Sequence, residues 1–155
     1  MADTARAAYV DALKMLGRRE LSEAQVRQRL TRRGHEPDAI DAAIARLRAE
    51  RAIDDARVAE AIVRTQTSIR RRGKLRVLRQ IERAGIADTT ARRAVDEVFG
   101  GLDTDALLEA SLAKRLRGDE QIAGEAQFAR LYRYLMGQGF EPDRIIAALK
   151  ARSVK

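Results

Sequence analysis

The 155-residue chain contains no cysteine and one histidine, His35. The first absence excludes disulfides and thiolate metal sites. Together the two leave too few nitrogen and sulfur ligands for a zinc-type centre. There is no tryptophan, and aromatic residues make up only 4%. A core must therefore be aliphatic, built on Leu, Ile, Val and Ala. No apolar run approaches the roughly 20 residues that a membrane helix requires. The opening Met1-Ala2-Asp3-Thr4-Ala5-Arg6 begins no signal-peptide apolar segment, so a cytoplasmic protein is expected. No GxxxxGK[ST] loop occurs, and Gly100-Gly101 is isolated, so nothing cradles a nucleotide. Prolines number two, Pro37 and Pro142, both where helices could start. Helix is thus favoured nearly everywhere.

What is abundant is charge. Charged residues are 35% of the chain, and the net charge is +8. The excess is uneven: residues 1–53 carry 11 basic and 8 acidic side chains, residues 54–102 carry 11 and 7, and residues 103–155 carry 9 and 8. A basic chain of this size attracts polyanions.

The same local pattern occurs three times. Gly34-His35-Glu36-Pro37-Asp38 matches Gly139-Phe140-Glu141-Pro142-Asp143, and Gly85-Ile86-Ala87-Asp88 is a weaker copy. With the glycines in register, Val26, Val77 and Leu131 lie eight residues before them. Leu30, Ile81 and Leu135 lie four before. Ile40, Ala91 and Ile145 lie six after, and Ile44, Val95 and Leu149 ten after. Apolar residues four apart share a helix face. Each copy is therefore read as helix, glycine turn, helix, with the glycine as a left-handed C-cap and proline in the first helical turn.

Another helix precedes each pair: residues 4–18, 55–72 (N-cap Asp54) and 104–117 (N-cap Asp103). Leu21-Ser22-Glu23-Ala24-Gln25-Val26 reads as a capping box with a hydrophobic staple, and Gly118 to Gly124 as a loop. The expectation is an all-α chain of three tandem three-helix repeats, at 1–53, 54–102 and 103–155. The middle one is the most basic, and neighbours support one another's thin cores. Three copies at one period speak for architecture rather than for a single DNA-reading helix-turn-helix.

Most candidate binding residues sit in the middle repeat. On helix 55–72, Val58, Ile62, Thr65 and Ile69 are assigned to one side, and Arg57, Arg64 and Arg71 to the other. On the next helix Arg76, Arg79 and Arg83 share a face opposite Val77, Leu78 and Ile81. Residues 64–83 hold eight basic side chains (Arg64, Arg70, Arg71, Arg72, Lys74, Arg76, Arg79, Arg83) against one acid, Glu82. Such self-repulsion is relieved by a polyanion, and arginine's planar fork suits phosphate. Arg18, Arg19, Arg27, Arg29, Arg32 and Arg33 form a weaker patch. Tyr132 is expected in the core, whereas Tyr134, with Arg133, flanks it as a contact residue for bases. His35 takes the slot of Ile86 and Phe140, a packing position. Asp54-Asp55 are adjacent, do not face one another on a helix, and suit capping. No nucleophile is paired with a base, so no catalytic residue, cofactor or metal is expected.

Three stretches resemble the RecX family of bacterial regulatory proteins, which act on the RecA recombinase. They are Ile53-Asp54-Asp55-Ala56-Arg57-Val58-Ala59; Arg72-Gly73-Lys74-Leu75-Arg76 running to Gly85-Ile86; and Tyr132-Arg133-Tyr134-Leu135 with Gly139-Phe140, Asp143 and Ile145. Leu13 to Leu21, with Ser22 and the Gly34 turn, is similar to the family's opening. Val58 replaces the family's usual Phe, and Gly137-Gln138 its common basic pair. The resemblance implies an elongated, curved helical array. It also implies a protein that lies in the groove of the RecA–single-stranded-DNA filament and restrains its ATPase, strand-exchange and co-protease activities; a monomer is expected. A general single-stranded nucleic-acid binder and a helical scaffold for acidic proteins are the competing readings.

Overall fold

The computed structural model describes residues 2–100, 102–117 and 121–153. Among them are nine helices: α1 Ala2–Leu16, α2 Glu23–Arg32, α3 Pro37–Ala49, α4 Asp55–Ser68, α5 Lys74–Arg83, α6 Asp88–Phe99, α7 Thr104–Leu116, α8 Glu125–Gln138 and α9 Pro142–Ala151. No strand occurs among the described residues, only an isolated parallel bridge of Ile122 with Ser153. No helix among them is long and apolar enough to cross a membrane. Residues 118–120 of the expected loop and Gly101 lie outside the described residues.

The glycine turns follow one rule. Gly34, Gly85 and Gly139 have φ of 89°, 76° and 94°, a region that costs other residues energy through their Cβ. In each turn the N–H after the glycine reaches back to the carbonyl five residues earlier: His35 to Leu30 (3.2 Å), Ile86 to Ile81 (3.5 Å) and Phe140 to Leu135 (3.2 Å). This long return bond satisfies a helix-end carbonyl. The other caps also match the sequence. Ser22 Oγ accepts from Gln25 N (3.2 Å), and Gln25 Oε1 accepts from Ser22 N (3.0 Å). Asp54 accepts from Arg57 N (3.1 Å), and Asp103 from Ala106 N (3.0 Å).

The chain forms two compact units. One comprises the residues up to Glu60 with Ile81–Ala91; the other comprises Ala61–Gln80 with the residues from Arg92 onward. In the first, the core joins Ala8, Ala12 and Met15 of α1, Leu21, Val26 and Leu30 around α2, and Ala39, Ile40, Ala43, Ile44 and Leu47 of α3, with Ile53. The alanines let α1 lie along α3. Leu21 and Val26, the expected staple pair, are both buried there. In the second, Leu108, Leu112, Leu116, Ile122, Leu131, Leu135, Phe140, Ile145 and Leu149 form the core. Ile122 is held by its own N–H bond to the carbonyl of Arg152 (2.8 Å).

One helix differs from its expectation. α4 ends at Ser68 instead of continuing to 72. Its buried side is Val58, Ala59, Val63 and Thr67, while Ile69 is 76% exposed and Thr65 is exposed. The spacing 58, 62, 65, 69 is helical, but the true inward face is rotated from it, and the chain leaves the helix where that stripe would end. Thr67, buried, returns its hydroxyl to the Val63 carbonyl (2.8 Å), so a polar residue sits inward without an unpaired donor.

Candidate nucleic-acid interface

The run Arg70-Arg71-Arg72-Gly73 is a turn rather than a helix end, and three contacts hold it. Arg72 N donates to the Gln66 carbonyl (2.8 Å), Gly73 N to the Gln138 carbonyl (2.8 Å), and Leu75 N to the Gly139 carbonyl (3.0 Å). These bonds outcompete the helical ones, and Arg71 takes a left-handed backbone with φ 52°, uncommon for a residue with a Cβ. The approach is backbone on backbone. A Cβ built on Gly73 would lie 2.5 Å from Gly139 O and from Phe140 N. A Cβ on Gly139 would lie within 3.0 Å of the Arg76 backbone. Only glycine fits either place.

This docking sets the three arginines around a cleft of about 490 Å3, whose far wall comes from α7 and α8. Ser111 and Lys114 line it from α7, and Tyr134 and Gln138 from α8. Exposed Ile69 adds an apolar side chain. No acid lines the cleft, and four of its side chains are cationic. Arg72 Nη1 is buried without a hydrogen-bond partner. Leaving such a donor unpaired costs about 1–3 kcal/mol, and more where the group is charged.

The other predicted residues divide. Lys74 Nζ lies 3.6 Å from Asp96. Arg76 Nη1 donates to the Gly137 carbonyl (2.9 Å), a cation on the last turn of α8, where the helix dipole favours it. Arg57 is occupied: it bonds the Glu20 carboxylate and the carbonyls of Arg51 and Ala52. Arg64, Arg79, Arg83 and Arg133 are exposed, and none of these lines the cleft. Tyr134 is half-buried, with the Arg115 guanidinium 4.1 Å from its ring centroid, so one ring face is already stacked. Tyr132 packs against the core of its unit. Sequence reasoning missed Ser111, Lys114, Arg115 and Gln138. For Lys114 and Arg115 a signal existed, as both lie in the basic last turn of α7.

Comparison with known proteins bears on the fold and the family. A family model described as the first three-helix domain of RecX matches residues 8–47, the span of most of the first unit's core. A protein of Halorhodospira halophila named regulatory protein RecX is 30% identical over 141 residues, covering 90% of this chain and 84% of that protein. The chain belongs to the RecX family. A RecX protein of Geobacillus kaustophilus is 37% identical over 153 residues, and the chain spans 55% of its length. The crystal structure of RecX from Lactobacillus salivarius superposes with a TM-score of 0.77 at 25% identity, covering 97% of this chain and 99% of that one. A second RecX crystal structure, at 19% identity and TM-score 0.80, shares the fold.

The residues that carried the RecX resemblance now have physical roles. Asp54 caps α4, and Asp55 Oδ1 accepts from Glu23 N (2.9 Å), so the acidic pair caps two different helix N-termini. Gly73 and Gly139 form the close approach just described. His35, in the slot of Ile86 and Phe140, is half-buried and bonds Asp11 (2.7 Å) through Nε2.

Proposed function

We propose that this chain regulates recombination by binding the RecA filament on single-stranded DNA, and that it acts by contact rather than by catalysis. Membership of the RecX family and its relatives' name, regulatory protein, support the regulatory role. The observation that carries the DNA contact is the acid-free cleft of Arg70, Arg71, Arg72 and Lys114, with one buried, unpaired guanidinium nitrogen. Its cations take backbone phosphates, and Ile69 and Tyr134 supply apolar surface beside a base. Arg79, Arg83, Arg64 and Arg133 add a solvated positive field that steers the chain to a polyanion. Restraint of ATPase, strand exchange and co-protease activity is the expected consequence, in a cytoplasmic monomer.

The test is the ATPase rate of RecA filaments on single-stranded DNA, titrated with this chain far below the amount that coats the strand. Inhibition at substoichiometric protein supports direct action on the filament. Inhibition only at saturation of the DNA replaces it with simple competition for the strand by a nucleic-acid-binding module.

A further inference from the structure

The first unit holds a cationic cleft of its own. Lys14, Arg18 and Arg19 at the end of α1, and Arg29, Arg32 and Arg33 at the end of α2, converge on a cleft of about 470 Å3. Ion pairing explains little of this charge. Arg33 lies 3.4 Å from Asp11, the carboxylate that also bonds His35. Arg27, on the same helix, is paired with Glu23 and Asp41 and lies outside the cleft. No ion pair among the described residues engages Arg18, Arg19, Arg29 or Arg32.

Cations are favoured at helix C-termini, but that effect is too small here. Two helix ends contribute roughly half a negative charge each, and Asp11 contributes one more. Against six cations, about four positive charges remain unbalanced. The lining also tells which polyanion fits. It contains no aromatic side chain, and its one apolar residue, Met15, is 7% exposed. Protein interfaces place their Trp, Tyr and Arg anchors in an apolar, charge-depleted centre, and this lining has no aromatic or exposed apolar side chain to build one. Guanidinium forks suit phosphate oxygens.

We propose that this cleft is a second binding site for nucleic-acid phosphates, independent of base identity and of strandedness. The inference stands on its own charges and does not require the RecA reading.

The experiment measures binding of the full chain to oligothymidylate, to a mixed-sequence strand and to duplex, between about 50 and 200 mM salt. The wild type is compared with Arg18→Gln/Arg19→Gln/Arg32→Gln, three exposed positions, and with Arg70→Gln/Arg71→Gln/Arg72→Gln. Loss of three phosphate contacts lowers the slope of log K against log salt by about 2 on single strands and about 2.7 on duplex. That drop, equal for both single-strand sequences and with unchanged far-UV circular dichroism, is the expected result for the first variant. An unchanged slope overturns the proposal. If only the Arg70–Arg72 variant shifts the slope, the second site fails while the proposed function stands. An unchanged slope with lost binding to RecA in the absence of DNA overturns it in favour of a protein partner. Should the triple variant misfold, Arg18→Gln and Arg32→Gln singly each lower the slope by about 0.7 on single strands, and no change in either is equally decisive.

Discussion

Replacing Gly73 with alanine isolates the docking contact that builds the cleft. Unlike Gly139, Gly73 is outside the left-handed region, so no backbone strain confuses the result. The new Cβ would meet the carbonyl carbon and oxygen of Gly139 and the nitrogen of Phe140, the last two at 2.5 Å. These are main-chain atoms, which cannot swing aside as a side-chain tip can. Overpacking of this kind costs about 1–3 kcal/mol. Separating the two segments also weakens the bonds from Gly73 N to Gln138 and from Leu75 N to Gly139, at about 1 kcal/mol each. The reduced freedom of the unfolded chain returns about 0.4–1 kcal/mol. The net expectation is a loss of about 2–5 kcal/mol, read from urea unfolding followed by circular dichroism. Binding to single-stranded DNA should weaken as well, because Arg70–Arg72 lose their tether. Gly137→Ala is the control: it lies within α8 with nothing within 4 Å of the added Cβ. It should stabilise by about 0.5–1 kcal/mol and leave binding unchanged. A Gly73→Ala protein within about 0.5 kcal/mol of wild type, a surface-substitution effect, would refute the docking argument.

Gly34→Ala should cost about 1–2 kcal/mol in the same unfolding assay, since φ is 89° but nothing surrounds the new Cβ. Ser22→Ala removes an N-cap (about 1 kcal/mol) and strips the Ala84 carbonyl of its buried hydroxyl donor, worth about 1–3 kcal/mol more; a combined loss near zero would contradict the hydrogen bonding described. The Glu23 carboxyl is held below its ordinary range, first by the hydrogen bond from Arg48 and also by the charges of Arg48 and Arg27. A depressed carboxyl contributes stability that is complete above its unfolded value, about 4.3, and is lost as pH falls through the lower folded value. Urea midpoints measured from pH 7 down to pH 3 should therefore decline less in Glu23→Gln than in wild type, and parallel curves would count against the assignment.

Local grammar made much of this fold readable. The three glycines, both prolines, Ser22-Gln25, Asp54 and Asp103 each act through neighbours within a few residues, so spacing alone exposed them. Helix bounds then followed to within two residues, except at α4. There the chain past Ser68 is held by a local return bond from Arg72 N to Gln66 and by bonds from Gly73 and Leu75 to Gln138 and Gly139, more than sixty residues away in the chain, and no local window contains the last two. The candidate site was legible in the same proportion. Arg70, Arg71, Arg72 and Tyr134 were found as a charge run and a flanking aromatic, but Ser111, Lys114 and Gln138 join them only through packing. Arg57 shows the converse: an exposed-looking cation in sequence, it is engaged by Glu20 and two carbonyls.

The three glycine turns share a backbone reason but not a packing reason, and the difference exposes a rule of assembly. Ser22 and Gly73 each lie twelve residues before the glycine of their own repeat. Ser22 Oγ donates to the carbonyl of Ala84, the residue before Gly85. Gly73 N donates to the carbonyl of Gln138, the residue before Gly139. Equivalent positions thus address the same acceptor in the following repeat, one with a hydroxyl and one with the main chain. The sockets are equally tight: a Cβ on Gly85 would stand 2.5 Å from Ala24 Cβ, and one on Gly139 would collide with Arg76. Gly34 has no atom within 4 Å of the built Cβ. The glycine is therefore required twice over in the second and third copies, for φ and for space, but only for φ in the first. This is why the weakest sequence copy, Gly85-Ile86-Ala87-Asp88, keeps its glycine while losing the proline: a neighbouring repeat occupies the space that a side chain would fill.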